Sequence, residues 1–216
     1  MQFDVAKLRP SETGRLLTAI VVPRPIAWTI TQSTDGTLNA APFSFFNVLS
    51  DDPPLVGLGL GQYGPRMHDT TLNIQQTGEF VVNLVAEKQI EAMNITAAEF
   101  ESHIDELKIA AVDLQPSVKV KPPRIAASPV SLECELMIKL DVSPKSSIIL
   151  GRVVFIHIQD EVITETSTPR VDTHKMHLIS RMGGGGMYGR THDTFNLPRF
   201  TLDDWNRQQA TKAWKP

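Results

Sequence analysis

The chain has one cysteine in 216 residues, Cys134. No internal disulfide is possible, and a reducing compartment, the cytoplasm, is expected. Nowhere does an apolar run approach the ~18 residues that a membrane helix needs, so no membrane partner is expected. The first residues, Met1-Gln2-Phe3-Asp4-Val5, lack a basic stretch followed by an apolar one, so no signal peptide is expected. Charge of one sign is also lacking: 21 Lys and Arg stand against 24 Asp and Glu, for a net charge of -3. Without a basic stripe, nucleic acid is not an expected partner. There is no phosphate-loop consensus, no internal repeat at the spacing of solenoid proteins, and no triad or paired acid and base of a hydrolase.

What remains is an ordinary globular composition, 41% hydrophobic and 21% charged, with material for a core. A short helix starts at Pro10-Ser11-Glu12-Thr13, weakened by Gly14. Ala19 to Thr31 reads as the first strand, clean only from Ile26 because Pro23 and Pro25 cannot donate ladder hydrogen bonds. Asp35-Gly36 marks a hairpin, and Leu38 to Ala41 returns. Ala41 to Ser50 reads as a polar-aromatic loop, followed by a stiff turn, Asp51-Asp52-Pro53-Pro54, and a strand from Leu55 to Gly61. A helix capped by Asp69-Thr70-Thr71 runs to Gln76 and stops at Gly78. Phe80 to Val85 is a strand. Glu87 to Met93 and Ala97 to Glu106 read as helices, with Phe100, Ile104 and Leu107 on one stripe. After an irregular stretch from Val112 to Pro123, Val130 to Val142 and Ile148 to Gln159 alternate as long paired strands, extended by Val162-Ile163. Asp172 to Met182 and Thr191 to Pro216 read as loops and short helices. Many short strands joined by turns imply an antiparallel barrel.

The stretch with most chemistry is Asn39 to Thr70. Ser44, Asn47 and Ser50 recur every third residue among Phe, Val and Leu, which suits a flat apolar ligand with hydrogen-bonding edges. Arg66, His68 and Thr70 then gather charged and hydroxyl donors at a helix start, where a phosphate is favoured. The glycines at 184, 186 and 189 match G-x-G-x-x-G, but neither a strand before nor a helix after is convincing, so no dinucleotide fold is expected. His174-Lys175-Met176-His177 with His192 lacks the further ligands of a structural metal site, so no metal is expected. Cys134, in the alternating Leu132-Glu133-Cys134-Glu135-Leu136, reads as a small buried side chain.

Several runs together resemble the FMN-binding split-barrel flavin reductases, a group with flavoredoxins, ferric reductases and the reductase partners of two-component monooxygenases. They are Pro23-Arg24-Pro25-Ile26-Ala27-Trp28, Asn39-Ala40-Ala41-Pro42-Phe43-Ser44-Phe45-Phe46-Asn47, Ser50-Asp51-Asp52-Pro53-Pro54-Leu55-Val56, His68-Asp69-Thr70-Thr71-Leu72-Asn73-Ile74 and Thr77-Gly78-Glu79-Phe80-Val81-Val82-Asn83. Arg181-Met182-Gly183-Gly184 with Tyr188 is a weaker echo. The resemblance implies a mainly β, Greek-key split β-barrel with inserted short helices. It implies a single domain over 1–216, with 190–216 an extension packing on the barrel or on a partner subunit through Phe200, Trp205 and Trp214. It implies an NAD(P)H-dependent FMN reductase passing hydride from a nicotinamide to flavin N5, then reduced flavin or electrons to an acceptor such as a monooxygenase. The alternatives are an FMN-binding electron carrier of flavoredoxin type, with no NAD(P)H site of its own, and a protein that has kept the fold and lost the flavin. FMN is the implied cofactor, NADH or NADPH the reductant, and a homodimer the implied assembly. The cofactor residues implied are Pro25, Ala27, Trp28, Ser44, Phe45, Phe46, Asn47, Ser50, Arg66, His68, Thr70 and Arg181. His177 is a substrate-side candidate, and the glycine loop a flap over the flavin. Relatives often carry Lys where His68 stands, and histidine loses its grip on phosphate as it loses charge with rising pH. Because the cofactor carries the chemistry, no catalytic side chain is named.

Overall fold

The Asp35-Gly36 pair turns the chain as its residues dictate: Gly36 takes a φ of 94°, and Ser33 and Thr37 close the turn through the Asp35 carboxylate and backbone. The structure, a computed structural model, describes residues 1–61, 68–98, 100–101 and 104–210. Arg66 and Trp214 lie outside those residues.

The strands in chain order are Arg24–Pro25 (β1), Ala27–Gln32 (β2), Leu38–Phe43 (β3), Phe46–Asp51 (β4), Pro54–Gly61 (β5), Glu79–Leu84 (β6), Leu114–Gln115 (β7), Arg124–Ile125 (β8), Val130–Ser143 (β9), Ser146–Ile158 (β10), Ile163–Glu165 (β11), Arg170–Val171 (β12), Ile179–Arg181 (β13) and Tyr188–Arg190 (β14). The helices are Pro10–Ile20 (α1), Asp69–Thr77 (α2), Ile90–Ile95 (α3), Glu106–Ile109 (α4) and Leu202–Ala210 (α5).

Seven strands form one antiparallel sheet in the order β3-β2-β6-β9-β10-β5-β4. Its two end strands, β3 and β4, are joined by Ser44 and Phe45 alone. The three steps from Phe43 to Phe46 reach at most about 10 Å, so the sheet must curl until its outer edges meet. The product is a barrel split at one seam, with the β9–β10 hairpin inserted between β6 and β5. This is the Greek-key split barrel.

The core lies inside the barrel and beneath the helices. Ala27, Leu58, Phe80, Val82, Cys134 and Ile149 fill the interior. Trp28 and Ile30, alternating with Ala27 on β2, point outward and are covered by Met93 of α3 and Leu107 of α4. Hence β2 is buried on both faces. Gly151 is required here, since a Cβ would stand 2.2 Å from Phe80 Cζ. On the outer wall the parity of β5 leaves Gly57 and Gly59 uncovered by side chains of their own. Leu49 lies over Gly57 and Phe45 over Gly59. Their β10 partners, Leu150 and Ile148, stand opposite Ile138 and Leu140 of β9. Phe45, Leu49, Ile138, Leu140 and Ile148 are all exposed.

Several expectations are corrected. Ala19 and Ile20 are helical, not strand. Pro10 opens α1 and the Glu12 carboxylate accepts the Arg9 N–H at 2.9 Å, which carries the helix past Gly14. The supposed loop of Ala41 to Ser50 is the end of one strand and most of another. Its pairing partners lie at opposite ends of the sheet, which local pattern cannot reveal. The helix expected over Ala97 to Glu106 is absent among the described residues; α4 begins only at Glu106, after the Asp105 carboxylate accepts the N–H groups of Leu107 and Lys108. His68, not Asp69, takes the cap position of α2, with no side-chain cap bond. Ile163 does not extend β10 but pairs with Val171 in a separate two-stranded ribbon.

Candidate functional site

A cavity of about 650 Å³ opens along the seam. Its floor is β3. The Ala40 N–H donates to Glu106 Oε2 at 3.3 Å, so Ala40 turns its peptide groups away from β2. In an antiparallel strand a residue's N–H and C=O point the same way and the direction alternates. The carbonyls of Ala40 and Pro42 therefore face the open edge. Pro42 is tolerated because the N–H it lacks would have pointed there as well.

One end of the cavity is the start of α2. Thr71 and Leu72 donate back to the His68 carbonyl, and the N–H of Thr70, one residue before them, has no backbone partner among the described residues, as the first turn of a helix leaves it. His68 stands edge-on to Phe43, ring centroids 6.4 Å apart. The Thr70 hydroxyl is buried and accepts the Asn39 side-chain N–H at 2.8 Å. A smaller hollow of about 260 Å³ shares Gly61, His68 and Ser146 with the cavity and adds Lys145.

The other end holds two arginines. Arg24 and Arg181 are direct partners across the β1–β13 ladder. Arg24, only 7% exposed, donates to the carbonyls of Thr18 at 2.5 Å, Val21 at 2.9 Å and Gly183 at 3.2 Å, and to Ser44 Oγ at 3.5 Å. Burial, and then the charge of Arg181, hold its pKa below the usual guanidinium value. The Arg181 guanidinium lies over the Tyr188 ring, 4.7 Å from its centroid. Gly183 and Gly184 complete this end.

Glu106 lines the cavity although only 6% exposed. Burial first, and then the nearby Asp69 and Asp105, raise its pKa, against the pull of the backbone N–H groups. Its Oε1 has no hydrogen-bond partner among the described residues.

Of the residues singled out from sequence, Ser44, Phe45, His68, Thr70 and Arg181 line this cavity. Ala27, Trp28 and Phe46 do not; all three are in the core, and the Trp28 indole N–H donates to Thr96 Oγ1 at 2.9 Å. Pro25 is exposed on β1, opposite Ser180. Asn47 is exposed on β4 and its side-chain carbonyl accepts the Val48 N–H, and Ser50 sits beside Leu55 across the ladder. His177 is not among the residues that line the cavity. It is exposed, has a φ of 47°, and its Nδ1 lies 3.2 Å from His192 Nε2. Among the described residues no group of three His, Cys, Asp or Glu side chains is arranged to hold a metal. The glycine run joins β13 to β14 as a hairpin, so a strand does precede it, but a strand rather than a helix follows.

Sequence reasoning missed Arg24, Asn39, Lys145 and Glu106. Arg24 sat inside a recognised run, Pro23-Arg24-Pro25. Glu106 has no local signal, because only α4 packing on β3 places it.

The donor chemistry fits a flavin nucleotide. The N-terminal end of α2, with the Thr70 N–H and His68, suits a phosphate. The open strand edge offers acceptors to a ring imide, and Pro42 and Phe45 offer apolar surface. The comparisons with known proteins agree. A family model described as "Flavin reductase like domain" matches residues 20–175. An uncharacterised protein of Deinococcus radiodurans is 37% identical over 211 residues, covering 95% of this chain and 92% of that protein. Among solved structures, 2-nitrobenzoate 2-nitroreductase NbaA of Pseudomonas fluorescens is 33% identical with a TM-score of 0.85, over 94% of this chain and 98% of that one. Nitrilotriacetate monooxygenase component B from Bacillus cereus is 27% identical with a TM-score of 0.85, over 91% and 98%. The flavoredoxin of Desulfovibrio vulgaris, 13% identical with a TM-score of 0.75 over 94% and 100%, shares the fold. On the match across residues 20–175 and the close relatives, this chain belongs to the flavin reductase-like family, and a flavin is the cofactor that membership implies.

Proposed function

We propose that the chain is an NAD(P)H-dependent FMN reductase of a reducing, cytoplasmic setting that works as a homodimer. The observation that carries the reading is the cavity at the seam, with a helix N-terminus at one end and an unpaired strand edge as its floor. A bound flavin supplies the hydride chemistry, taking two electrons from a reduced nicotinamide and yielding them to an acceptor. The chain's residues bind and orient. Thr70 at the start of α2 offers a backbone N–H to the phosphate, and His68 and Arg66 offer charge. Ala40 and Pro42 offer carbonyls to the ring edge, Ser44 and Phe45 close the seam, and Glu106 presents a buried carboxyl to the ligand.

Two comparisons bear on the acceptor. A monooxygenase component resembles this chain, which favours reduced flavin handed to a partner enzyme. A nitroreductase resembles it too, which favours a small nitroaromatic acid reduced in place. A carrier of flavoredoxin type is separated from both by one observation: NADH or NADPH must bleach the yellow protein anaerobically, and a carrier stays oxidised.

The homodimer rests on the outer wall. Phe45, Leu49, Ile138, Leu140 and Ile148 form an apolar surface beside the cavity mouth, of the kind that marks an interface. Sedimentation at the 23.9 kDa of one chain, with FMN bound, would refute it.

The phosphate end is tested by titrating FMN and riboflavin against wild type and Arg66→Ala. A hydrogen bond to a charged group contributes about 1.5–3 kcal/mol, so FMN affinity should fall roughly 10- to 100-fold while riboflavin affinity holds. Equal losses for both would place the phosphate elsewhere.

A further inference from the structure

We propose that Arg24 and Arg181 form a second anion subsite, which takes the phosphate or carboxylate group of the ligand that reacts with the flavin. The proposal rests on the flavin-reductase reading for the identity of that ligand, not for the subsite itself.

Like charges directly opposite on paired strands repel. Here two guanidinium groups face each other across the β1–β13 ladder, and among the described residues no carboxylate comes within ion-pair range of either. A structural role accounts for Arg24 alone. Its contacts to Thr18, Val21 and Gly183 tie α1 and the glycine hairpin to β1. That role is met by neutral acceptors, and it does not explain why a second arginine is set against the first. Arg181 has no hydrogen-bond partner among the described residues; the Tyr188 ring orients it and leaves its N–H groups unspent. The backbone N–H groups of Gly183 and Gly184 are likewise unspent, and both glycines line the cavity with the two arginines. The unspent N–H groups of Arg181, the buried charge of Arg24 with one of its five N–H groups left over, and the backbone N–H groups of Gly183 and Gly184 make a binding site for an oxyanion.

The arginines stand on β1 and β13, the phosphate donors at the start of α2. His68 packs on Phe43, which joins the barrel core. Arg24 reaches Ser44 and Gly183, past the end of β3. A ligand anchored by its phosphate at α2 leaves the arginine end for a second molecule. Two sources share this chemistry: the pyrophosphate of a nicotinamide dinucleotide, and the carboxylate of an aromatic acid.

The test is calorimetric. Inorganic pyrophosphate and sodium benzoate are titrated into the FMN-saturated protein, as wild type, Arg181→Gln and Arg181→Lys. At least one anion should bind wild type. Arg181→Gln should weaken it by about tenfold or more, the loss of one charge-assisted bond, and Arg181→Lys should restore part of the affinity. Pyrophosphate binding alone assigns the subsite to the dinucleotide, benzoate alone to an aromatic acid, and both to small anions in general. Failure of both to bind wild type, or equal binding by wild type and Arg181→Gln, overturns the proposal. If FMN itself does not bind, the flavin reading fails, and the same titrations into ligand-free protein still decide the subsite.

Discussion

Two glutamates are buried among the described residues, and they do opposite things. Glu133, fully buried on β9, accepts the N–H groups of Val118 at 2.7 Å, Lys119 at 2.6 Å and Val120 at 3.2 Å, and its Oε1 lies 2.6 Å from His157 Nε2. Burial would raise its pKa, but the His157 bond and the three backbone donors outweigh that and hold it below the usual glutamate value. Glu106 is given less, the Ala40 N–H at 3.3 Å and the pull of its own backbone N–H, and its pKa is raised. Both carboxylates have left water; only one has been given a full replacement for it. A buried carboxylate surrounded by donors is part of the scaffold. One left short of donors and facing a cavity is available to a ligand.

The difference is broken most forcefully at Glu133. Glu133→Ala strands three backbone N–H groups and an imidazole, and should cost about 3–5 kcal/mol of stability, read from denaturant unfolding. A loss below about 1 kcal/mol, the worth of one ordinary hydrogen bond, would mean that the 118–120 loop does not depend on this carboxylate. His157→Ala removes one partner of four and should cost less, about 1–3 kcal/mol. Glu106→Gln is expected to change stability by under about 1 kcal/mol while changing FMN affinity; a large loss of stability with unchanged FMN affinity would make it another scaffold residue.

Acid sharpens the contrast, because the two signs differ. The folded pKa of Glu133 is depressed, so its contribution is present above the ordinary glutamate value and fades as pH falls through the folded pKa. The folded pKa of Glu106 is raised, so its ionisation costs stability as pH rises from the ordinary value through the folded one. The stability gap between wild type and Glu133→Gln should therefore shrink on acidification. The Glu106→Gln variant should gain on wild type as pH rises. Parallel pH profiles for the two variants would contradict the assignment.

What could be read from sequence follows from how local each signal is. The β2–β3 hairpin was legible because Asp35-Gly36 specifies its own turn. β9 and β10 were legible because each alternates over a dozen residues, and α2 because Gly78 ends it with a φ of 73°. The cavity was legible in part. Ser44, Phe45, His68, Thr70 and Arg181 stood in recognisable runs, yet the same runs also offered Trp28 and Phe46, whose side chains the core takes. Glu106 and the facing of Arg24 by Arg181 were not legible. The first depends on a short helix docking on a strand edge more than sixty positions away, the second on a ladder between residues 24 and 181.

The order in which the sheet is assembled has a consequence for synthesis. By Leu84 the ribosome has delivered both half-sheets, β3-β2-β6 and β5-β4, hinged at Ser44-Phe45. Among the described residues no strand pairing joins β6 to β5 until the β9–β10 hairpin arrives to pair with both. Until then the nascent chain carries two open edges, the kind of surface that invites pairing with other chains. Truncated nascent chains ending before Ser146 should remain sensitive to protease and be held by chaperones, and those extending past Ile158 should become resistant; early resistance would show that the half-sheets close without their bridge.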